Sequence, residues 1–313
     1  MKKKLLALFI TVAIFCIIFR NIDLNLFRDY VSRINFQYLA VALAYFFVYP
    51  LVGIERWRAM INLKYRLPFW DALKIYYIGE TLNLALPSKA GDLSKGYFLK
   101  KAGISSFTYG MSSVFFEKLL DLLSVGFAFF IGLLFLKGGE TIYPKIITIL
   151  MFFLLIFFTF LNFDKMRWIK AILFKFKRRK LLKIFREITS FVGLIKRKHE
   201  RFFLLGLMAV SILFWLGHLF QIFLFFKAAN MEIRYSQVLF YVPIALIVAS
   251  IPITIGGMGT RDLTLIGLLS AIAPREVIVL GGLLISLRYF VPASIGLLFI
   301  QDALEYVKIK RKK

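Results

Sequence analysis

The chain has 313 residues, is 60% hydrophobic and 17% aromatic, and carries a formal net charge of +25. Soluble domains are nearer half apolar, and the apolar runs here are long and continuous, which excludes both a soluble fold and the short alternating strands of a membrane β-barrel. Lys and Arg crowd between these runs instead of on a soluble domain with readable motifs, so the charge argues for anionic lipid headgroups as neighbours and against nucleic acid.

The first apolar run, 5–19, follows Lys2, Lys3 and Lys4 and looks like a signal peptide. Arg20 and Asn21 stand where small residues would mark cleavage, so it is read as an uncleaved span. Cys16, the one cysteine, lies in this run and leaves no intramolecular disulfide or cysteine-based metal site. The second run, 36–54, ends in "GIERWRAM" (53–60), where Arg56 and Arg58 are expected to fix orientation and Trp57 to anchor at the interface. Piece 69–99 is apolar but broken: Pro87 ends a first half-helix, Gly91 allows the turn, and Asp92 is a candidate N-cap for a second, with Lys95 one turn on. Asn83 precedes the break.

Run 112–136 holds Glu117 and Asp121 at i and i+4, on one helical face, where two carboxylates repel and need a cation or a proton. The other reading of this pair is a hydrated position at headgroup level. Run 146–163 is uninterrupted. Segment 164–201 carries fourteen Lys/Arg alternating with apolar residues, which predicts a basic amphipathic helix against anionic inner-leaflet lipid. In run 202–226, His218 and Gln221 suit interhelical hydrogen bonds.

Piece 238–273 is the second broken one. Pro252, Gly256, Gly257 and Gly259 make the break, and Thr260 or Asp262 could cap the helix that follows, next to Arg261. The last run, 277–300, carries Arg288 with eleven uncharged residues on each side. That puts it about 18 Å from either end, too deep to snorkel. Such an arginine faces a cavity or pairs with a carboxylate that locks two helices.

Basic residues assign both termini, 55–68 and 164–201 to the cytoplasm, and 137–145 and 227–237 to the outside. Six full transmembrane helices satisfy this if 69–99 and 238–273 each enter and leave on one side as re-entrant hairpins; eight spans is the alternative. The expectation is thus an all-α polytopic membrane protein with an inverted repeat, its halves at 1–163 and 202–313. Paired Gly/Pro-broken segments in two such halves point to a transporter's substrate site. Half-helix N-termini beside Lys95, Arg261 and Arg288 would suit a phosphate. Residues 256–259, "GGMG", fit neither a dinucleotide fingerprint nor a P-loop, and no cofactor or metal is expected.

Together these stretches resemble a family. "EKLLD" (117–121), Asn83 followed by "LP" (86–87) and "GD" (91–92), "IPITIGGMGTRD" (251–262) and "LRYFVPASIG" (287–296) are similar, in order, to the lysylphosphatidylglycerol synthase membrane region. That family is also called the flippase-like domain and includes the membrane half of the multiple peptide resistance factor. The resemblance covers nearly the whole chain. It implies motif roles for Asn83, Pro87, Gly91, Asp92, Glu117, Asp121, Pro252, Gly256, Gly257, Gly259, Arg261, Asp262 and Arg288. Lys95 and Lys118 stand where arginine is expected, and Asp92 and Asp262 where glutamate is usual, which puts bidentate phosphate clamping at the two lysines in doubt.

The soluble aminoacyl-transferase domain of the full-length synthases has no counterpart here. The resemblance therefore implies translocation of an anionic phospholipid or polyprenyl-phosphate lipid, in the cell membrane, with substrate contacts from Asn83, Lys95, Glu117, Asp121, Arg261 and Arg288. The alternatives are a phosphatidylglycerol lysyltransferase or other intramembrane lipid transferase, and a non-catalytic partner of a separate transferase. A second copy of the chain is a further expected partner.

Overall fold

In the computed structural model, residues 2–85, 91–135, 189, 191, 193, 200–251 and 253–302 are described. Among them there is no strand, and the helices are α1 (Lys2–Arg20), α2 (Leu24–Ser32), α3 (Phe36–Ile61), α4 (Phe69–Ala85), α5 (Ser94–Lys101), α6 (Phe107–Leu134), α7 (Glu200–Ala228), α8 (Tyr235–Ala249), α9 (Thr260–Leu269) and α10 (Arg275–Leu297). The main stretches of α3, α7 and α10 are each long and apolar enough to cross a bilayer, and α1 with α2 forms a further candidate bent by 94°. In α6, of 28 residues, Glu117, Lys118 and Asp121 interrupt the apolar run. Phe9, Phe36, Phe47 and Phe202 stand exposed on the outside, where lipid replaces water. This is a multi-pass helical membrane protein.

Several boundaries differ from the sequence reading. Helix α3 continues seven residues past 54, to Ile61, so the expected loop 55–68 begins only at Asn62. The cause is burial: Trp57 is fully buried, not an interface anchor, and donates from Nε1 to Ser113 Oγ at 3.1 Å. Helix α6 begins at Phe107 with Ser106 as its cap. That places Glu117 about 15 Å inside the helix, and its burial removes the hydrated-headgroup reading. The run 146–163, nearly all of 164–201, Pro87 and Pro252 lie outside the described residues.

Contacts between helices come in matching pairs. Helix α4 packs along α10 and α6 along α8; α5 lies on α6 and α9 on α10; α3 and α7 pack on each other. Exchanging α3–α6 for α7–α10 maps this pattern onto itself. One apolar core joins α3, α4, α5 and α6 through Trp57, Ile75, Leu99 and Phe116. Another is centred on α7, α8, α9 and α10, with Phe226, Val238, Leu265 and Ile278. The tightest approaches repeat as well. A Cβ on Gly132 of α6 would collide with the backbone of Leu239 and Phe240 in α8, and one on Gly296 of α10 with Tyr77 O and Thr81 Oγ1 in α4.

The two ends of the bundle are tied separately. At one, Asn35 N donates to Ala228 O (2.9 Å) and Asp23 N to Glu276 Oε1 (3.2 Å), joining the α1–α2 bend, the start of α3, the end of α7 and the start of α10. At the other, Lys74 Nζ meets Asp302 at 3.1 Å.

The repeated approaches make a stability test. Gly296→Val should force α4 and α10 apart at a cost of about 1–3 kcal/mol, read as a lowered Tm in detergent. Gly267→Ala in α9, whose Cβ would meet nothing within 4 Å, should leave Tm unchanged or raised. Equal behaviour of the two variants would contradict the packing.

Candidate functional site

Glu117 and Asp121 sit on the inner face of α6, 3% and 9% exposed. Charges so placed are stable only when paired, and the structure supplies the partners from three helices. Arg56 of α3 donates from Nη2 to Asp121 Oδ1 at 2.7 Å and to Glu117 Oε1 at 3.4 Å. Lys95, the second residue of α5, reaches Glu117 Oε2 at 2.9 Å. Lys118 bridges outward, 2.6 Å from Asp92 and 3.7 Å from Asp121. Trp215 Nε1 of α7 also donates to Asp121 Oδ1, at 2.9 Å. Three cations thus meet three carboxylates in one network.

The break between α4 and α5 exists to build this network. Asn83 Nδ2 donates to Asp92 Oδ1 and Asp92 N to Asn83 Oδ1, both at 3.1 Å, so one side chain clasps both edges of the break. Asp92 is therefore not the N-cap of α5. That position is Leu93, with no side-chain cap, and the Asp92 carboxylate serves Lys118 and Asn83 instead. Gly91 packs against Gly79 and the backbone of Asn83 so closely that no side chain fits there.

The second break is made by backbone conformation. Gly256, Gly257 and Gly259 have φ of 62°, 75° and 92°, a region that L-residues with side chains seldom adopt. The N-cap of α9 is Gly259, not Thr260 or Asp262; Asp262 lies within the first turn, and its Oδ2 accepts from Gly259 N at 3.0 Å. Thr260 belongs to the first turn, its hydroxyl bonded to Gly257 O at 3.1 Å. Arg261, again the second residue of the post-break helix, donates to Asp262 Oδ1, to Gly282 O at 2.7 Å and to Ser286 Oγ at 2.9 Å. The break also touches α4, which brings the two broken pieces together.

Arg288 does not join this network through Glu117 or Asp121. It donates from Nη2 to His218 Nδ1 of α7 at 2.7 Å. Among the described residues no ion pair joins it to a carboxylate. The reason is geometric: Arg56, which the sequence reading treated as an orientation signal, reaches the carboxylates first. Tyr49 lies against His218 through its hydroxyl and stacks on Phe214 at 4.3 Å, and Trp215 sits 4.6 Å from the imidazole. An aromatic wall thus separates Arg288 from the carboxylates. Gln221 makes the interhelical bond expected of it, to Ala42 O at 2.9 Å.

Sequence reasoning missed Arg56, Trp215 and Tyr49 as members of the site. The signal for Arg56 was faint: Glu55 and Arg58 flank it, so the run reads as the end of a span, and only the extension of α3 to Ile61 places it inside a helix. Two of its nitrogens, Nε and Nη1, are buried without a hydrogen-bond partner among the described residues, as is Nη1 of Arg261. A buried polar group left so costs about 1–3 kcal/mol. Among the described residues no cluster of three or more His, Cys, Asp or Glu could hold a metal ion.

The sequence model of the family described as Lysylphosphatidylglycerol synthase TM region matches residues 4–296. The chain therefore belongs to that family, which gives it a membrane-lipid function. No curated protein matches the chain.

The charge network predicts strong coupling. Arg56→Ala should destabilise the protein by about 3–5 kcal/mol, because it strands buried carboxylates. Adding Asp121→Asn should recover part of that loss, measured by thermal unfolding in detergent. A single variant as stable as the parent would show that the network contributes nothing.

Proposed function

We propose that this family member moves an anionic phospholipid or polyprenyl-phosphate lipid between the leaflets, with Arg288 receiving the headgroup. One observation carries the reading. Arg56, Lys95, Lys118 and Arg261 are all spent on carboxylates, whereas Arg288 is held mid-helix by an imidazole. A guanidinium without a counter-charge, in low dielectric, favours an incoming phosphate, and its planar fork can hold two phosphate oxygens at once. Tyr49, Phe214 and Trp215, packed around His218, supply amphipathic aromatic surface beside this arginine, which suits a lipid.

The matched breaks support the same reading. Two halves, 1–163 and 202–313, of opposite orientation would place the broken helices around one site and let it open to either side by rocking. Glu117 and Asp121, which an intramembrane transferase would need as acid and base, are already ion-paired. The proposed arrangement has six crossings and two hairpins, with both termini and 164–201 in the cytoplasm and 137–145 and 227–237 outside. In a Cys16→Ala background, Glu232→Cys should label from outside intact cells; protection there would overturn the orientation.

The transport test is direct. Purified protein in liposomes should equilibrate a fluorescent phospholipid between leaflets without changing it chemically; a modified lipid would favour the transferase. Arg288→Ala should slow movement about tenfold or more, the loss of one charge-assisted pair, and Arg288→Lys should be intermediate. A folded Arg288→Ala variant that transports at the parental rate would refute the role of Arg288.

A further inference from the structure

Two neighbours converge on one ring nitrogen of His218, in the interior of α7. Arg288 Nη2 of α10 lies 2.7 Å from Nδ1, and the Tyr49 hydroxyl of α3 abuts the same atom. A guanidinium can only donate, so Nδ1 carries a lone pair in this arrangement and the neutral ring keeps its proton on Nε2. One lone pair cannot serve two donors fully. The neighbours differ in what they can do if Nδ1 gains a proton. A phenol can turn from donor to acceptor, whereas Arg288 would face the new N–H as a second cation. All three side chains are half-buried, not sealed in the core.

We propose that His218 is a proton-binding site that holds Arg288 when neutral and releases it when protonated. Nδ1 takes one proton from water, its new N–H donates to the Tyr49 hydroxyl, and Arg288, its own protons unchanged, is freed for an anion. The charges around the ring set the balance. On α6, Asp121 accepts from Trp215 Nε1 at 2.9 Å, and that indole lies 4.6 Å from the imidazole. Glu80 of α4 is within electrostatic range of Tyr49. Both carboxylates favour the imidazolium, but Asp121 is shared with Arg56 of α3, whose guanidinium lies over Phe214. The phenols of Tyr45 on α3 and Tyr235 on α8 pack on Phe220, and Tyr289 neighbours Arg288; all three are uncharged near neutral pH. Arg288 is therefore the cation that most directly opposes protonation, and a phosphate drawn to it cancels that opposition. Proton and anion then bind together, each raising the affinity for the other by the same factor. The inference rests on the translocase reading for its purpose, since one proton carried with each headgroup would let a pH gradient drive movement. The protonation itself can be read without transport.

The chain has two histidines, so His199→Gln leaves His218 as the one imidazole. This full-length variant, carrying isotope-labelled histidine in phosphatidylcholine nanodiscs, is titrated by nitrogen NMR. The ring should pass from the Nε2–H tautomer to the doubly protonated form between roughly pH 8 and pH 5. Arg288→Ala should move the midpoint to higher pH by about one unit, a tenfold change in proton affinity. Tyr49→Phe should move it to lower pH, because the acceptor for the new N–H is gone. A ring that stays in one form, or substitutions that fail to shift it in opposite directions, would overturn the proposal; loss of packing alone does not produce opposite shifts. In liposomes, movement of fluorescent phosphatidylglycerol should rise about tenfold per pH unit of acidification at most, the limit for one proton, and His218→Gln should lose that dependence. Lipid movement indifferent to pH would overturn the coupling and leave the translocase reading standing. A ring that titrates as expected in a protein that moves no lipid would uphold the proton site and reject that reading.

Discussion

Everything inside this bundle is arranged around two carboxylates one turn apart on α6. In a membrane interior an isolated ionised side chain is too expensive to keep, and two on one face repel as well. Their neutralisation draws Arg56 from α3, Lys95 from α5 and Trp215 from α7 onto the same face. A long and otherwise apolar helix that carries these carboxylates is therefore the one that organises its neighbours. Apolar packing fills the space between helices, but in lipid it does not choose which faces meet, because lipid tails are as apolar as leucine.

The two broken helices solve one mechanical problem twice. In each, a basic residue stands second in the helix after the break and docks onto the next long helix: Lys95 onto α6, Arg261 onto α10. An unbroken helix could not present a side chain there without passing straight through the bundle. The halves differ in where the counter-charge comes from. Lys95 finds it on α6, whereas Arg261 brings it along as Asp262, which also accepts from Gly259 N at the break. Backbone groups freed at a break must be satisfied by protein; the Asn83–Asp92 clasp does so in one half and the bond from Gly259 N to Asp262 in the other.

This division of charge leaves Arg288 with an imidazole and an aromatic wall for company. The site is closed where cations meet carboxylates and open, electrostatically, where Arg288 stands. Arg56 joins the two regions, since its guanidinium lies 4.7 Å over the ring of Phe214, the ring on which Tyr49 stacks.

Much of this was legible in the sequence. Continuous apolar runs announce helices because the bilayer demands internally satisfied backbone over a known thickness. Family membership followed from short motifs in order, and the second break from its glycines, since only glycine tolerates φ near 62° to 92° at three of four positions. The bond from Gly259 N to Asp262, three residues on, is local, yet the cap itself fell to Gly259 and not to Thr260 or Asp262. What the sequence could not determine was pairing. Glu117 and Asp121 demand cations, but Arg56, 61 and 65 residues away, and Arg288 were both plausible suppliers. Only the packing of α3 against α7 and of α6 against α8 decided that Arg56 arrives and Arg288 turns to His218. Spacing along a helix states what a side chain needs; long-range geometry alone states which partner is within 3 Å of it.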